Sequence, residues 1–178
     1  ILNKIAITGR IDEHKFPTNF LELLISYVKY NEIEFNIYGN IDKNYKNYFL
    51  NKIIEKKNIK FHDYIEYTKI NEIYLENDLL LSPSKSEAGG TVLLEAMNNG
   101  ILILCRNKGG NKETLNNDKY LIEENKDYFD KINKIKEISY DKILNDLYLS
   151  KKKVLINNNN KNNINNLYKI MNDYLYIE

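Results

Sequence analysis

Short runs of β-branched and other apolar residues recur along the chain, each followed by a longer segment whose apolar residues return at helical spacing. That alternation is the pattern of an α/β fold, a parallel sheet with helices on both faces. The runs predict strands at 3–8, 34–38, 59–62, 78–82, 101–104 and 119–122. A first helix is expected over 18–30, because Phe20, Leu21, Leu24 and Val28 share one face and Pro17 suits its first turn. A second over 44–57 aligns Tyr45, Tyr48, Phe49 and Ile53, and a short third follows at 68–75. The best-marked helix is 91–99, which opens after Gly89-Gly90 and closes at Gly100, a residue able to take the left-handed conformation that ends helices. Beyond residue 125 the strands stop, and helices are expected at 128–137, 141–152 and 160–176, with a turn at the asparagine run 157–160.

Length changes this picture little: 178 residues allow one domain with a real core, read here as a Rossmann-like part over 1–125 and C-terminal helices over 126–178. Charge excludes more. With 26 Lys and Arg against 25 Asp and Glu, the net +1 creates no field that would draw the domain onto nucleic acid or an anionic membrane. Any bound anion must be met by local charges. The many tyrosines are scattered over the helix faces rather than set in one stripe, which argues against a nucleic-acid stacking platform.

Cys105, the only cysteine, follows the apolar run Ile101-Leu102-Ile103-Leu104 and reads as a small buried hydrophobe. A reducing, cytoplasmic setting is compatible with it. No apolar stretch approaches the roughly 20 residues needed to span a bilayer, and no charged-then-apolar leader opens the chain. The start at Ile1 gives the expectation of a piece of something longer. His14 and His62 are the only histidines, and neither sits at metal-ligand spacing with a second ligand, so no metal is expected.

Four local features converge on a nucleoside diphosphate joined to a sugar. Gly9-Arg10 ends the first strand and Lys15 follows five residues on, which sets two cations at the carboxyl edge of the sheet, where open α/β folds bind ligands. A guanidinium grips phosphate oxygens bidentately and an ammonium supplies a point charge, so the pair can neutralise a diphosphate leaving group. Next, Glu87-Ala88-Gly89-Gly90-Thr91 joins the strand at 78–82 to the helix at 91–99. Its glycines let backbone N–H groups approach a ligand, and the helix start adds partial positive charge. Third, Glu95 lies eight positions after Glu87, about 12 Å along an axis if all helical, so one carboxylate can face a sugar and the other a ribose. Last, Gly109-Gly110 and Glu113 form a second glycine turn suited to the same cleft. Each feature alone also fits a solvated surface pair or a plain tight turn. The dinucleotide fingerprint G-x-G-x-x-G is missing after the first strand.

Together these residues resemble the C-terminal, donor-binding half of the family 4 glycosyltransferases, which have the two-domain GT-B fold. The resemblance covers about residues 1–125 and rests on Gly9-Arg10-Ile11 with Lys15, on Phe35-Asn36-Ile37-Tyr38-Gly39, on Leu81 to Ser84 leading into Glu87 through Met97, and on Gly109-Gly110 with Glu113. The block from Ser82 to Met97 is the specific part. The resemblance implies that Arg10 and Lys15 hold the donor diphosphate, that Glu87 contacts the transferred sugar as the catalytic carboxylate, and that Glu95 binds ribose. It further implies that backbone amides of Gly89, Gly90 and Thr91 meet the sugar and phosphates, and that the loop of Asp63 and Tyr64 borders the base. A retaining hexosyl transfer without metal or cofactor follows from it, with a UDP- or GDP-sugar as substrate. A missing N-terminal domain of the same chain would hold the acceptor, a glycan or lipid-linked sugar, in a cytoplasmic reaction at or near the inner membrane face. Phe16 and Ala88 stand where the family usually has glycine.

Two other readings share the donor cleft: a sugar-nucleotide 2-epimerase, and a non-catalytic domain that kept the fold. The placement of Glu87 and Glu95 favours transfer over epimerisation, and the intact Arg10, Lys15, Glu87 and Glu95 argue against decay.

Overall fold

In the computed structural model, residues 2–86, 91–115 and 117–157 are described, the last three by backbone alone. Six parallel strands form one sheet: β1 (Lys4–Thr8), β2 (Glu34–Tyr38), β3 (Ile59–His62), β4 (Leu79–Ser82), β5 (Leu102–Arg106) and β6 (Leu121–Ile122). Their spatial order is β3-β2-β1-β4-β5-β6, so the chain builds outward from β1 in one direction and then returns to build in the other. Right-handed crossovers require the helices of the two halves to lie on opposite faces. Thus α1 (Thr18–Val28) and α2 (Lys43–Ile53) cover one face. On the other lie α3 (Ile70–Glu76), which follows the helical turn Tyr67–Lys69, together with α4 (Thr91–Asn99) and the short α5 (Asn111–Leu115). The last two described helices divide between them: α6 (Asp127–Lys136) packs Tyr128 and Phe129 on Phe20 of α1, while α7 (Tyr140–Asn157) lies along α4.

Register follows the pleat. Lys4 to Thr8 pair with Glu34 to Tyr38, and Ile5 and Ala6 pair with Leu79 and Leu80. On β2 the alternate residues Phe35 and Ile37 point to the α1 face, where Phe35 meets Tyr27 edge-on at 6.1 Å. Glu34, Asn36 and Tyr38 point to the α3 face and form a polar network there. Asn36 donates to Asn77 (3.2 Å) and lies 3.0 Å from His62 Nε2, whose ring stacks on Tyr38 at 4.4 Å. His62 therefore has a structural place in the sheet, and burial pushes its pKa down from 6.5. Cys105 is fully buried in β5.

The aromatic cluster between α1, α2 and α6 anchors the carboxyl side. Phe16 contacts Phe20 and Phe49 edge-on at 5.3 and 5.4 Å, geometries that add about 0.5–1.5 kcal/mol per pair beyond the area they bury. Tyr128 is fully buried and donates its hydroxyl to the Ser82 carbonyl at 2.6 Å, which ties α6 to the end of β4. Desolvation holds that phenol well above 10.

Several expected boundaries move for identifiable reasons. The strand expected at 101–104 is Leu102–Arg106, because Gly100 leaves α4 at φ +69 and Ile101 completes the turn. The strand expected at 119–122 begins as a helical turn, Asp118–Tyr120, whose Asn117 side chain accepts the Lys119 N–H, and only Leu121–Ile122 pair with β5. Helix α7 continues five residues past the expected end at 152; Lys153 Nζ donates to the carbonyls of Glu113 and Thr114, and Val154 is buried. Residue 157, expected in a turn, is still helical. The helix expected at 160–176 lies outside the described residues, and α5 is a helix the pattern did not announce.

Candidate functional site

The strand order reverses between β1 and β4, and the loops that leave these neighbours, β1–α1 and β4–α4, stand side by side at the sheet's carboxyl edge. Ligands of open α/β folds bind at such a switch point. Thr8 ends β1 with its Oγ1 buried. Gly9 then turns the chain at φ +127, and its N–H donates to the Tyr38 carbonyl at 3.0 Å. Gly39 is left-handed as well, at φ +143, and a Cβ there would lie 1.8 Å from the Gly9 carbonyl oxygen. Both positions need glycine, one for its backbone angle and the other for angle and close approach. Beyond them Ile11 N–H donates to Asn40 O (2.8 Å) and Asp42 N–H to Ile11 O (2.9 Å), so the loops after β1 and β2 run joined.

Within the β1–α1 loop two carboxylates do most of the fastening. Asp12 Oδ1 accepts the N–H groups of His14 (2.9 Å) and Lys15 (2.7 Å), and its Oδ2 accepts from Arg10 Nε. Partial burial pushes the Asp12 pKa up, but these bonds and the guanidinium outweigh it and hold the carboxyl below 3.8. Asp12 takes Arg10 at its Nε, on a side chain 65% exposed. Glu13 Oε2 accepts from both N–H (2.9 Å) and Oγ1 (2.5 Å) of Thr18, the first residue of α1. Phe16, where a glycine was the family habit, turns inward to 1% exposure and seats the loop on the aromatic cluster; Tyr45 donates to its carbonyl at 3.1 Å.

The β1–α1 loop is joined to the start of the β4–α4 connection. Lys85 N–H donates to His14 O (2.9 Å), Lys85 Nζ pairs with Glu13 Oε1 (2.7 Å), and Ser86 Oγ lies 3.2 Å from His14 Nε2. The loop of Arg10 and Lys15 thus lies against residues 85 and 86. Glu87, Gly89 and Gly90 follow and lie outside the described residues, as does Ala88. Thr91 is the exposed first residue of α4. Glu95, half-buried one turn further along, accepts from Tyr74 of α3 at 3.4 Å. Tyr74 is itself buried, which raises its phenol pKa. Tyr64 stands apart on the loop after β3, two strands from the switch point, about 10 Å by strand spacing, with 64% of its surface exposed. Gly109 turns at φ +58 before α5, and Glu113 is exposed on that helix.

A cavity of about 350 Å³ opens on the β2 side of the same loop, lined by Asp12, Glu13, His14, Asp42, Asn44 and Tyr45. It contains none of the expected donor-binding residues and is walled by carboxylates, so it is a poor match for an anion. Among the described residues, no group of three or more His, Cys, Asp or Glu side chains is placed to hold a metal ion. Nor is any helix among them long and apolar enough to cross a membrane. The sequence reading missed Asp12, Glu13, Lys85, Ser86 and Tyr74. Asp12 stands two positions from Arg10 and was detectable as its partner, but the contacts of Lys85 and Ser86 span 72 positions and leave no local signal.

Sheet order and carboxyl-edge loops define a Rossmann-like α/β domain. The sequence profile of the family "glycosyl transferases group 1" matches residues 2–161, and the chain belongs to that family. The glycogen synthase of Petrotoga mobilis is 31% identical over 113 residues, 62% of this chain, and the chain spans about a quarter of that protein (23%). The C-terminal domain of the group 1 glycosyl transferase LpcC from Francisella tularensis superposes with a TM-score of 0.71 at 21% identity, over 87% of this chain and 85% of that one. The Anabaena protein Alr3699/HepE, solved with UDP-glucose, superposes at 0.77 with 16% identity, over 97% of this chain and 49% of that one. The fold is that of the C-terminal half of a GT-B glycosyltransferase.

Proposed function

We propose that this domain holds the nucleotide-sugar donor of a retaining, hexosyl-type glycosyltransferase, with the acceptor, a glycan or lipid-linked sugar, presented by an N-terminal domain of the same protein. The observation that carries the reading is the β1–α1 loop: Asp12 takes Arg10 by its Nε edge and the Lys15 backbone by its N–H, at the point where strand order reverses. Transfer breaks the bond from the anomeric carbon to the diphosphate and leaves charge on the departing oxygen. Arg10 and Lys15 are assigned to that charge, and the amides of Gly89, Gly90 and Thr91 to the sugar and phosphates. Glu95, tied to Tyr74, is assigned to the ribose hydroxyls, Glu87 to the transferred sugar as catalytic carboxylate, and Tyr64 to the edge of the base. The substrate is a UDP- or GDP-sugar and no separate cofactor is invoked; the UDP-glucose in the HepE structure makes UDP the first probe.

Calorimetric titration with UDP, GDP and their sugars tests the assignment. The wild-type chain should bind a nucleoside diphosphate, and Arg10→Ala and Glu95→Ala should each weaken it about ten-fold, the lower end for charge-assisted bonds because Arg10 is exposed to solvent screening. Wild-type chain that binds none of these ligands rejects it.

A further inference from the structure

The loop of Arg10 and Lys15 is fastened on its two sides by different means. Toward β2 the fastening is backbone to backbone through Gly9, Ile11 and Gly39. Toward β4, beside one backbone bond, it is made by side chains: Glu13 on Lys85 at 2.7 Å and His14 on Ser86 at 3.2 Å. Glu13 uses its other oxygen on Thr18, so one carboxylate joins this loop, the start of α1 and the β4–α4 connection. The Glu13 and Lys85 side chains are 55% and 49% exposed, and a pair that open adds little to folding stability. Its geometry instead fixes one flank of the ligand-facing edge relative to the other.

We propose that Glu13 and Lys85, braced by His14 and Ser86, are positioning residues that hold the loop of Arg10 and Lys15 against the β4–α4 connection and so pre-order it for a nucleoside diphosphate. The inference rests on the nucleotide-sugar reading above. A loop ordered before binding loses less conformational freedom when the anion arrives. The role makes a prediction opposite in sign to simple charge. Glu13 is an anion beside an anion site, so by Coulomb repulsion alone its removal would tighten binding, whereas by positioning its removal loosens it.

The test is titration of the chain with UDP, alongside thermal unfolding and amide hydrogen exchange of the unliganded protein. Glu13→Gln keeps an oxygen for Thr18 and removes the charge; Lys85→Met removes the cation and Lys85→Arg restores it. Each of the first two should weaken UDP binding about three-fold, the coupling expected of an exposed pair, while leaving the melting temperature within about 2 °C. The double variant should bind no more weakly than either single, and Lys85→Arg should bind as wild type. Exchange at the His14 and Lys15 amides should quicken in both single variants. Glu13→Gln that binds UDP as well as or better than wild type overturns the proposal while leaving the nucleotide reading intact. Wild type that binds neither UDP nor GDP removes that reading instead, and unchanged amide exchange in the variants then overturns the positioning role itself.

Discussion

At the carboxyl ends of β1 and β2 the chain turns through left-handed glycines and secures its loops with carboxylates, leaving Arg10 largely in water. At the amino ends of β1, β4 and β5 the same sheet borders a cavity of about 510 Å³ lined mainly by apolar side chains, among them Leu2, Ile101, Ile135, Ile138 and Leu147, with Asn77, Asp78 and Asn99 also at its wall. One end is built mostly from polar groups held in fixed directions, and the other mostly from apolar side chains, whose packing is less directional, with Asp78 fastening the Asn3 and Lys4 amides among them. The division explains how a domain can carry an exposed guanidinium at one edge and still be stable: the packing that supports it lies elsewhere.

The strongest way to break the contrast is Gly39→Ala. The new Cβ would fall 1.8 Å from the Gly9 carbonyl at a backbone angle that side chains avoid. Strain plus overpacking should cost about 4 kcal/mol, read as a lower urea midpoint. A midpoint near wild type would mean the joined loops separate easily. Ile135→Ala attacks the other end: truncating this buried side chain should cost about 3 kcal/mol, yet UDP affinity should stay within about two-fold. A large loss of affinity there would show that the two ends are not independent.

Acid provides the smallest effect. The folded pKa values of Asp12 and Glu13 are lowered from 3.8 and 4.5, despite the upward push of partial burial, by the bonds each accepts. Their contribution is therefore present above the unfolded values and is lost as pH falls through the lowered folded ones, below about pH 4. Glu34 and Asp146 are lowered too and add to the same trend. Asp12→Asn combined with Glu13→Gln should reduce the stability lost between pH 7 and pH 3 by no more than about 1 kcal/mol, given the exposure of Glu13. Urea midpoints at the two pH values measure it, and an undiminished loss would place the acid sensitivity away from this edge.

What could be read from the sequence follows the range of the interaction that decides each feature. The helix at 91–99 and the strands at 34–38 and 59–62 fall at their expected limits, because each is a periodic run closed by its own neighbours, as Gly100 closes α4. Helix α5 escaped notice because five residues make little more than one turn and show no period. The continuation of α7 depends on Lys153 reaching carbonyls 39 and 40 positions away, which no local rule contains. The site divides likewise. Arg10, Lys15 and Glu95 stood out as residue types at telling places, while the neighbours that contact them or their loop, Asp12, Glu13, Lys85 and Tyr74, are ordinary residues given meaning by tertiary contact. Phe16 is the instructive departure: standing in place of glycine, it anchors the loop by burying its ring.

The near-contact of Gly39 with Gly9 also bears on re-engineering. Because the segment after β1 fits flush against the one after β2, a borrowed β1–α1 segment grafted in to alter donor preference would meet a foreign neighbour at Gly39 and Ile41. The transplantable unit is both segments together, and a chimera exchanging only one should fail at that seam before its ligand preference can be measured.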